Sequence, residues 1–587
     1  MRALVTFPGA LKKGDDLRST FLMLSCNRAC AAVALFTLSA SVACQGCDRR
    51  VAQGASAPLS ISKAWLEGKL PPEVNQGTPT PGGTLTVRLY AEPLGLNRLH
   101  DEQKEALMVR YTVGPIYETL FELDREDHPR YRMRPLLAES YEESADRLTQ
   151  TIQLRKGVRF HNGEPMTSRD VKAVMDVLLN PNNPTRAFSA PFTDLAGYEA
   201  PRDYTFVLHW KRPYYLGFRT FATLLPVMPA SALRGDFNTL AINRSPIGTG
   251  PFKFSQWEAG KRITLVRNDE YWGNKPYLDR IDLRIAKDDA IATQMFERGD
   301  FDLMVAIQPA VWRAMEKPEA LNAWAVEGYN RIYFTDYNYS WIGWNEERPF
   351  FRDWKVRVAL GMLIPYQEVF RDIDLGLELP TSCPFYVESP YCDPDVQRLA
   401  YKPEVAKRLL AEAGWADTNG DGVLDKDGIP FKFTFLIRVY SVRLNKIAEL
   451  LRDELKKVGI EMLIERVDTA TLRDRRLRHQ FDALAMNWSN QDTEEDLFGL
   501  FHSSQMQGAN SISYRNPEVD QLLMDARAEF DFQKRIQLNR RIHRQLYRDQ
   551  AYYFMSTHPT LDAVKKNVRG IWPSLPWYDF RKIWIQH

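Results

Sequence analysis

Cysteine is scarce in the body of this chain. Of six cysteines in 587 residues, Cys26, Cys30, Cys44 and Cys47 fall near the amino terminus, and only Cys383 and Cys392 lie beyond them. That leaves room for a single internal bridge. Histidine is sparse too: nine are scattered, none four residues from another, so the pattern indicates no histidine metal site. No excess of one charge exists. The 77 basic and 75 acidic residues leave a net +2, and no global field steers the chain toward nucleic acid. Long apolar runs are missing after the first 44 residues, so no later segment reads as a membrane span. Catalytic signatures are missing as well: there is no GxSxG elbow, no Walker A loop, no HExxH and no GxGxxG after a strand. The one SxxK match, Ser60 to Lys63, lacks partner motifs and reads as chance. These absences argue against an enzyme.

What is present is a large mixed chain. Its length exceeds one core, so two or more lobes are expected. A 44% hydrophobic and 26% charged composition is that of a globular protein, and the 12% aromatic share suits a pocket for varied ligands as well as a core. The stretch "ACAAVALFTLSASVAC" is an apolar run of about 15 residues, the length of a signal h-region. It is similar to a bacterial lipoprotein signal in which Cys44 is acylated, although Ser41 stands where such signals usually carry leucine. An ordinary cleaved signal is the other reading, and either Met1 or Met23 serves as the start. Residues 45–81 have the Gly, Pro, Ser and Gln content of a tether, with a short helix candidate in "ISKAWLEGKL". In an exported protein, Cys383 and Cys392 read as a disulfide closing the loop "CPFYVESPYC".

Strand and helix patterns alternate along the rest. "GGTLTVRLY", "RITLVRN" and "LDRIDLRIA" read as strands; "TSRDVKAVMDVLL" opens with a cap and keeps helical spacing. "KPEVAKRLLAEAGW" reads as a helix stopped at Gly414. "KFTFLIRVY", "SVRLNKIAELLRDELKKVG" and "IEMLIERV" form a predicted βαβ unit, and two amphipathic helices follow near residues 516–549. The class is α/β with more than one lobe.

Two acidic stretches call for a decision between ligand and turn. In "DTNGDGVLDKDG", Asp417, Asn419, Asp421 and Asp425 fall at positions 1, 3, 5 and 9 of a calcium loop. Gly428 replaces the bidentate Glu at position 12, which favours an Asx-rich turn over a metal site. In "WSNQDTEED", Trp488 precedes Asp492, Glu494, Glu495 and Asp496. These acids either hold a cation or cap the segment that follows.

Several blocks, taken in order, resemble the family 5 extracellular solute-binding proteins of ABC importers: "PIYETLFEL", "LTQTIQLRKGVRFHNGEPMTSRDVKAVMDVLL", "SPIGTGPFKFSQWEAGKRITLVRNDEYWGNKPYLDRID", "WNEERPFFRDWKVRVALGMLI" and "ISYRNPEVDQLLMDA". The resemblance implies an α/β periplasmic-binding-protein-like fold of type II, with two lobes, a hinge and an extra subdomain on the first lobe. It implies a first lobe built from 82–114, 241–335 and 546–587, a subdomain at 115–240 and a second lobe at 336–545, behind a leader (1–44) and tether (45–81). The implied function is capture of a peptide-like solute and delivery to a membrane permease, by a monomer that has no cofactor and touches the membrane only through a lipid on Cys44, at the periplasm or cell-envelope surface. Non-peptide solutes (a nickel chelate, an oligosaccharide, an opine), a hydrolase on the same scaffold and a receptor-coupled sensor are the rival readings. In peptide-binding members a Trp is followed three residues later by an Asp for the ligand ammonium. Here Trp488 is followed by Gln491 and then Asp492, so Asp492 or Asp496 is the candidate acceptor. Arg438 and Tyr440 stand where some dipeptide binders carry Arg-Pro-Tyr, the Arg pairing with a ligand carboxylate.

Overall fold

A computed structural model describes residues 77–101, 111–124, 127, 130–315, 329–335, 337–489, 494–571 and 578–587. Cys44, residues 45–76 of the tether, Gln491 and Asp492 lie outside the described residues.

The alternating segment Thr84–Leu89 buries Leu85, Val87 and Leu89 completely and sits inside a seven-stranded sheet. The order is Tyr329–Thr335, Pro559–Lys565, Leu303–Met304, Thr84–Leu89, Arg280–Ile285, Arg262–Arg267, Phe252–Glu258. Thr84–Leu89 runs parallel to Arg280–Ile285, while the pair after it is antiparallel. A second sheet of six strands runs Leu379–Pro380, Tyr552–Thr557, Asn338–Trp344, Ala483–Ser489, Lys432–Arg438, Glu461–Val467. Alternate residues of Asn338–Trp344 feed separate cores on its two faces: Ile342 and Trp344 on one, Tyr339 and Trp341 on the other. The chain passes between the sheets twice, after Thr335 and again at His558, between Thr557 and Pro559. A boundary at 545 falls inside the helix Phe532–Asp549. The strand Tyr552–Thr557 still pairs with Asn338–Trp344, so the return to the first sheet comes at 558.

A four-stranded antiparallel sheet, Ala138–Glu143, Thr149–Leu154, Thr205–Trp210, Leu195–Arg202, lies between the first and later strands of the seven-stranded sheet in sequence. Its helix Ser168–Leu179 starts at a capping box, in which Asp170 accepts from the Thr167 backbone N–H at 2.7 Å. Ile152 and Phe206 of this sheet join Leu85 and Val87 of the first sheet in one continuous apolar core.

In the second lobe, Lys432–Arg438, the helix Val442–Lys456 and Glu461–Val467 make a βαβ unit, its two strands in parallel register. Leu444, Ile447, Ala448, Leu451 and Leu455 bury one helical face, and the Ser441 side chain accepts from the Leu444 N–H. The helix Pro403–Glu412 ends before Gly414, whose φ of +87° an L-residue with a side chain rarely adopts. Cys383 and Cys392 are joined by a disulfide. No helix among the described residues is long and apolar enough to cross a membrane.

Candidate functional site

The edge of the second sheet collects the candidate residues. Lys432–Arg438, Glu461–Val467 and Ala483–Ser489 run in one direction and end there. Asn338 pairs with Ser489, so the strand after the first crossing begins at the same edge, and Tyr552–Thr557 ends at it before the second crossing. Carboxyl ends of parallel strands leave backbone groups and loops unshared, and open α/β sheets take their ligands there. This edge is therefore the candidate ligand-binding edge of the second sheet.

Trp488 pairs with Tyr339 across the ladder. Its ring stacks on Trp341 at 5.7 Å and 17°, and Trp341 stacks on Tyr552 at 3.8 Å. Arg438 is the last residue of its strand and half-buried; the Asn445 amide donates to its carbonyl at 3.3 Å, and its guanidinium has no hydrogen-bond or ion-pair partner among the described residues. Tyr440 stands on the loop beyond and is 83% exposed, at the rim rather than in the wall.

The acids after Trp488 separate by partner. Glu494 takes the Arg535 guanidinium at 3.1 Å and the Tyr391 hydroxyl. Asp496 pairs with Arg527 at 3.0 Å, accepts from the Tyr214 hydroxyl at 2.8 Å and caps the Phe498 N–H at 2.9 Å. Asp496, one of the two candidate ammonium acceptors, is thus engaged in holding its own segment to the subdomain. Asp194 adds a second link from the subdomain to Arg527, at 3.5 Å. In the other acidic stretch, Asp417 accepts from the Gly420 and Gly422 N–H groups, Asn419 from Asp421, and Asp425 from Thr418. These bonds make it an Asx-bonded turn, and among the described residues no group of side chains has the arrangement of a metal site.

The crossings carry a polar network that sequence patterns do not reveal. The Asn338 amide donates to the His558 carbonyl at 3.1 Å and accepts its N–H at 2.8 Å, tying one crossing to the other. The His558 ring meets Glu378, which also accepts from Ser556 at 2.7 Å. Arg443 binds Asp374 at 2.6 Å and Ser556 at 2.9 Å. Burial alone would raise the Glu378 carboxyl; His558 and Arg443 beside it outweigh that and hold it below its usual range. Trp341, Tyr552, Glu378 and His558 were not legible as site residues because their partners lie far away in sequence, and strand hydrophobicity gave the only signal.

A separate cavity of about 170 Å³ in the first lobe reaches Tyr337 at the first crossing. Its buried Glu118 accepts from Tyr271 at 2.6 Å, Trp272 at 2.8 Å and Thr249 at 2.9 Å, and burial still pushes its carboxyl up. Arg581 on its wall is held by Asp579 and Glu122. Glu118 and Arg581 of this cavity are thus bonded from within the protein.

Residues 132–508 match the family model described as bacterial extracellular solute-binding proteins, family 5 Middle. The oligopeptide-binding protein AppA of Bacillus subtilis (strain 168) is 30% identical over 531 residues, covering 87% of this chain and 93% of that protein. The solved structure of AppA in complex with a nonapeptide superposes with a TM-score of 0.73 and 29% identity, over 87% of this chain and all (100%) of that one. The fold is shared with NikA from Brucella suis, solved with Fe(III)-EDTA, at a TM-score of 0.74 and 22% identity, over 86% of this chain and 100% of that one.

Proposed function

We infer that this chain, which belongs to the bacterial extracellular solute-binding proteins of family 5, captures a peptide between its two lobes and passes it to the permease of an ABC importer. Arg438 carries the peptide reading. It is a half-buried cation at the cleft edge, with no partner among the described residues, next to the strand that bears Trp488. A guanidinium placed so binds a carboxylate with two parallel hydrogen bonds. Asp492, four residues beyond Trp488, supplies the matching acceptor for the peptide ammonium, and Tyr440 at the rim closes over the ligand. The protein performs no chemistry, acts as a monomer and is held at the membrane through lipid on Cys44. The composition of residues 45–81 supports that tether.

Arg438→Ala combined with Asp492→Ala is expected to weaken peptide binding by about 100-fold or more, because each change strands a ligand charge in the closed cleft. Isothermal titration with peptides recovered from the purified protein checks this, and an unchanged Kd removes both residues from the site. Cys44→Ser is expected to move the protein from the membrane to the soluble fraction of fractionated cells. Labelling of the variant by a radioactive fatty acid would refute acylation at that residue.

A further inference from the structure

The second lobe buries a cation that no acid among the described residues pairs with. Arg476 belongs to the helix Thr469–Leu477 and is only 8% exposed. Among the described residues its side chain makes one hydrogen bond, a long one of 3.5 Å to the Ser511 hydroxyl, and its Nε has no partner. The guanidinium lies over the Trp488 ring at 5.1 Å. Burial disfavours its charge, Tyr552 works against that, and Arg473, of its own sign, adds to the cost. Three other deeply buried arginines have a carboxylate: Arg88 has Asp289 at 2.5 Å, Arg357 has Glu346 at 3.4 Å, and Arg535 has Glu494 at 3.1 Å. A cation–π contact returns less than the desolvation of an ion costs, so Trp488 alone does not balance Arg476. Trp488 also stands one residue before Ser489, whose partner Asn338 begins the strand after the first crossing.

We propose that Arg476 and the Ser511 hydroxyl, beneath the Trp488 indole, form a subsite for a carboxylate of the bound solute. The carboxylate comes from an acidic side chain of the peptide or from its carboxyl terminus. The chemistry is the same: a planar anion accepts from a guanidinium already turned by Trp488 and kept dry by Trp341 and Tyr552. The subsite rests on the peptide reading of the cleft, and it makes that reading more specific: this protein prefers anionic peptides.

The test uses the full-length protein, stripped of ligand, and a tetrapeptide series in which Glu or Gln is walked through each position, with a free or amidated carboxyl terminus. Arg476→Met and Arg476→Lys are compared with the unsubstituted protein by titration calorimetry. A Glu-over-Gln preference of about 10- to 100-fold at one position, gone in Arg476→Met and partly kept in Arg476→Lys, assigns the carboxylate to a side chain. The same loss confined to the acid-over-amide preference assigns it to the terminus. Preferences that are absent, or unchanged by Arg476→Met, overturn the subsite and leave the peptide reading standing. If no peptide binds at all, the peptide reading fails. The subsite is then decided by glutarate quenching of tryptophan fluorescence: quenching lost in Arg476→Met supports it, and no quenching overturns it. The ligand-free Arg476→Met protein is expected to melt higher than the parent, since an unmatched buried charge is removed. A lower Tm with intact preferences would assign Arg476 to packing alone.

Discussion

Gly248→Ala is expected to yield no soluble, cooperatively folding protein. A Cβ at this position would stand 2.0 Å from the Ile116 carbonyl oxygen and 3.0 Å from Tyr117. The carbonyl has little freedom to retreat, because it accepts the Gly250 N–H at 2.9 Å. Gly250 meets the same wall, with a Cβ 2.5 Å from the Pro115 oxygen. The segment "GTGP" is thus pressed against "GPIYE" backbone to backbone, and Thr249 between the two glycines donates to buried Glu118. Relief requires the first lobe to part from the strand that follows, a change worth more than about 4 kcal/mol, at the extreme of single substitutions. Soluble yield and calorimetric Tm measure it. Gly197→Ala, which meets nothing within 4 Å and has no positive φ, is the control and is expected to leave Tm in place. A Gly248→Ala protein melting with the parent would contradict the close approach.

Acidification from pH 6.5 to 4.5 is expected to lower stability steeply. Burial pushes the His543 and His161 imidazoles down to about 4. Their hydrogen bonds fix the neutral ring. His543 accepts the Asp393 N–H at 2.9 Å on Nδ1 and donates from Nε2 to the Ser382 carbonyl at 2.9 Å. His161 is held the same way between the Gly248 N–H and the Gly250 carbonyl. The folded values lie below the unfolded value near 6.5, so the unfolded chain takes up protons first. The stabilisation is complete above pH 6.5 and lost as pH falls toward 4. His543, 0% exposed, contributes about 3 kcal/mol and the partly exposed His161 less, by the linkage relation. Carboxylates held low, such as Glu378 and Asp393, add their loss only further down, below their unfolded values. Urea midpoints at pH 7.5, 6.5, 5.5 and 4.5 give the profile, and His543→Gln should flatten it. A midpoint unchanged between pH 7.5 and 5 would sink the assignment. His543 bonds residues beside both ends of the Cys383–Cys392 bridge, so its protonation loosens that loop first.

Local signals carried the architecture well. The βαβ unit at 432–467 was legible because a period of two, then 3.6, then two again is written into consecutive residues, with Ser441 as the cap between. The helix stop at Gly414 needs only its own φ. The ordered blocks that resemble the family gave the two-lobed fold. The second crossing was misplaced at 545 because Tyr552–Thr557 is as apolar as a first-lobe strand would be, and only pairing to Asn338–Trp344 assigns it. Asp496 read as a ligand candidate because nothing in "WSNQDTEED" announces Arg527 or Tyr214. Arg476 sits in "RDRRLRHQ", where five basic residues look alike; burial beneath Trp488 distinguishes it, and burial is a property of the fold.

The subdomain has no core of its own to slide on. Ile152 and Phe206 pack into the same apolar mass as Leu85 and Val87, so it forms one packed body with the first lobe. Tyr214 and Asp194 are among its residues that touch the second lobe, where they meet Asp496 and Arg527. Arg527, Asp496 and Asp194 are only 12%, 19% and 9% exposed, so salt screens these contacts little. The seam between the subdomain and the second lobe therefore keeps its hold across a wide range of ionic strength.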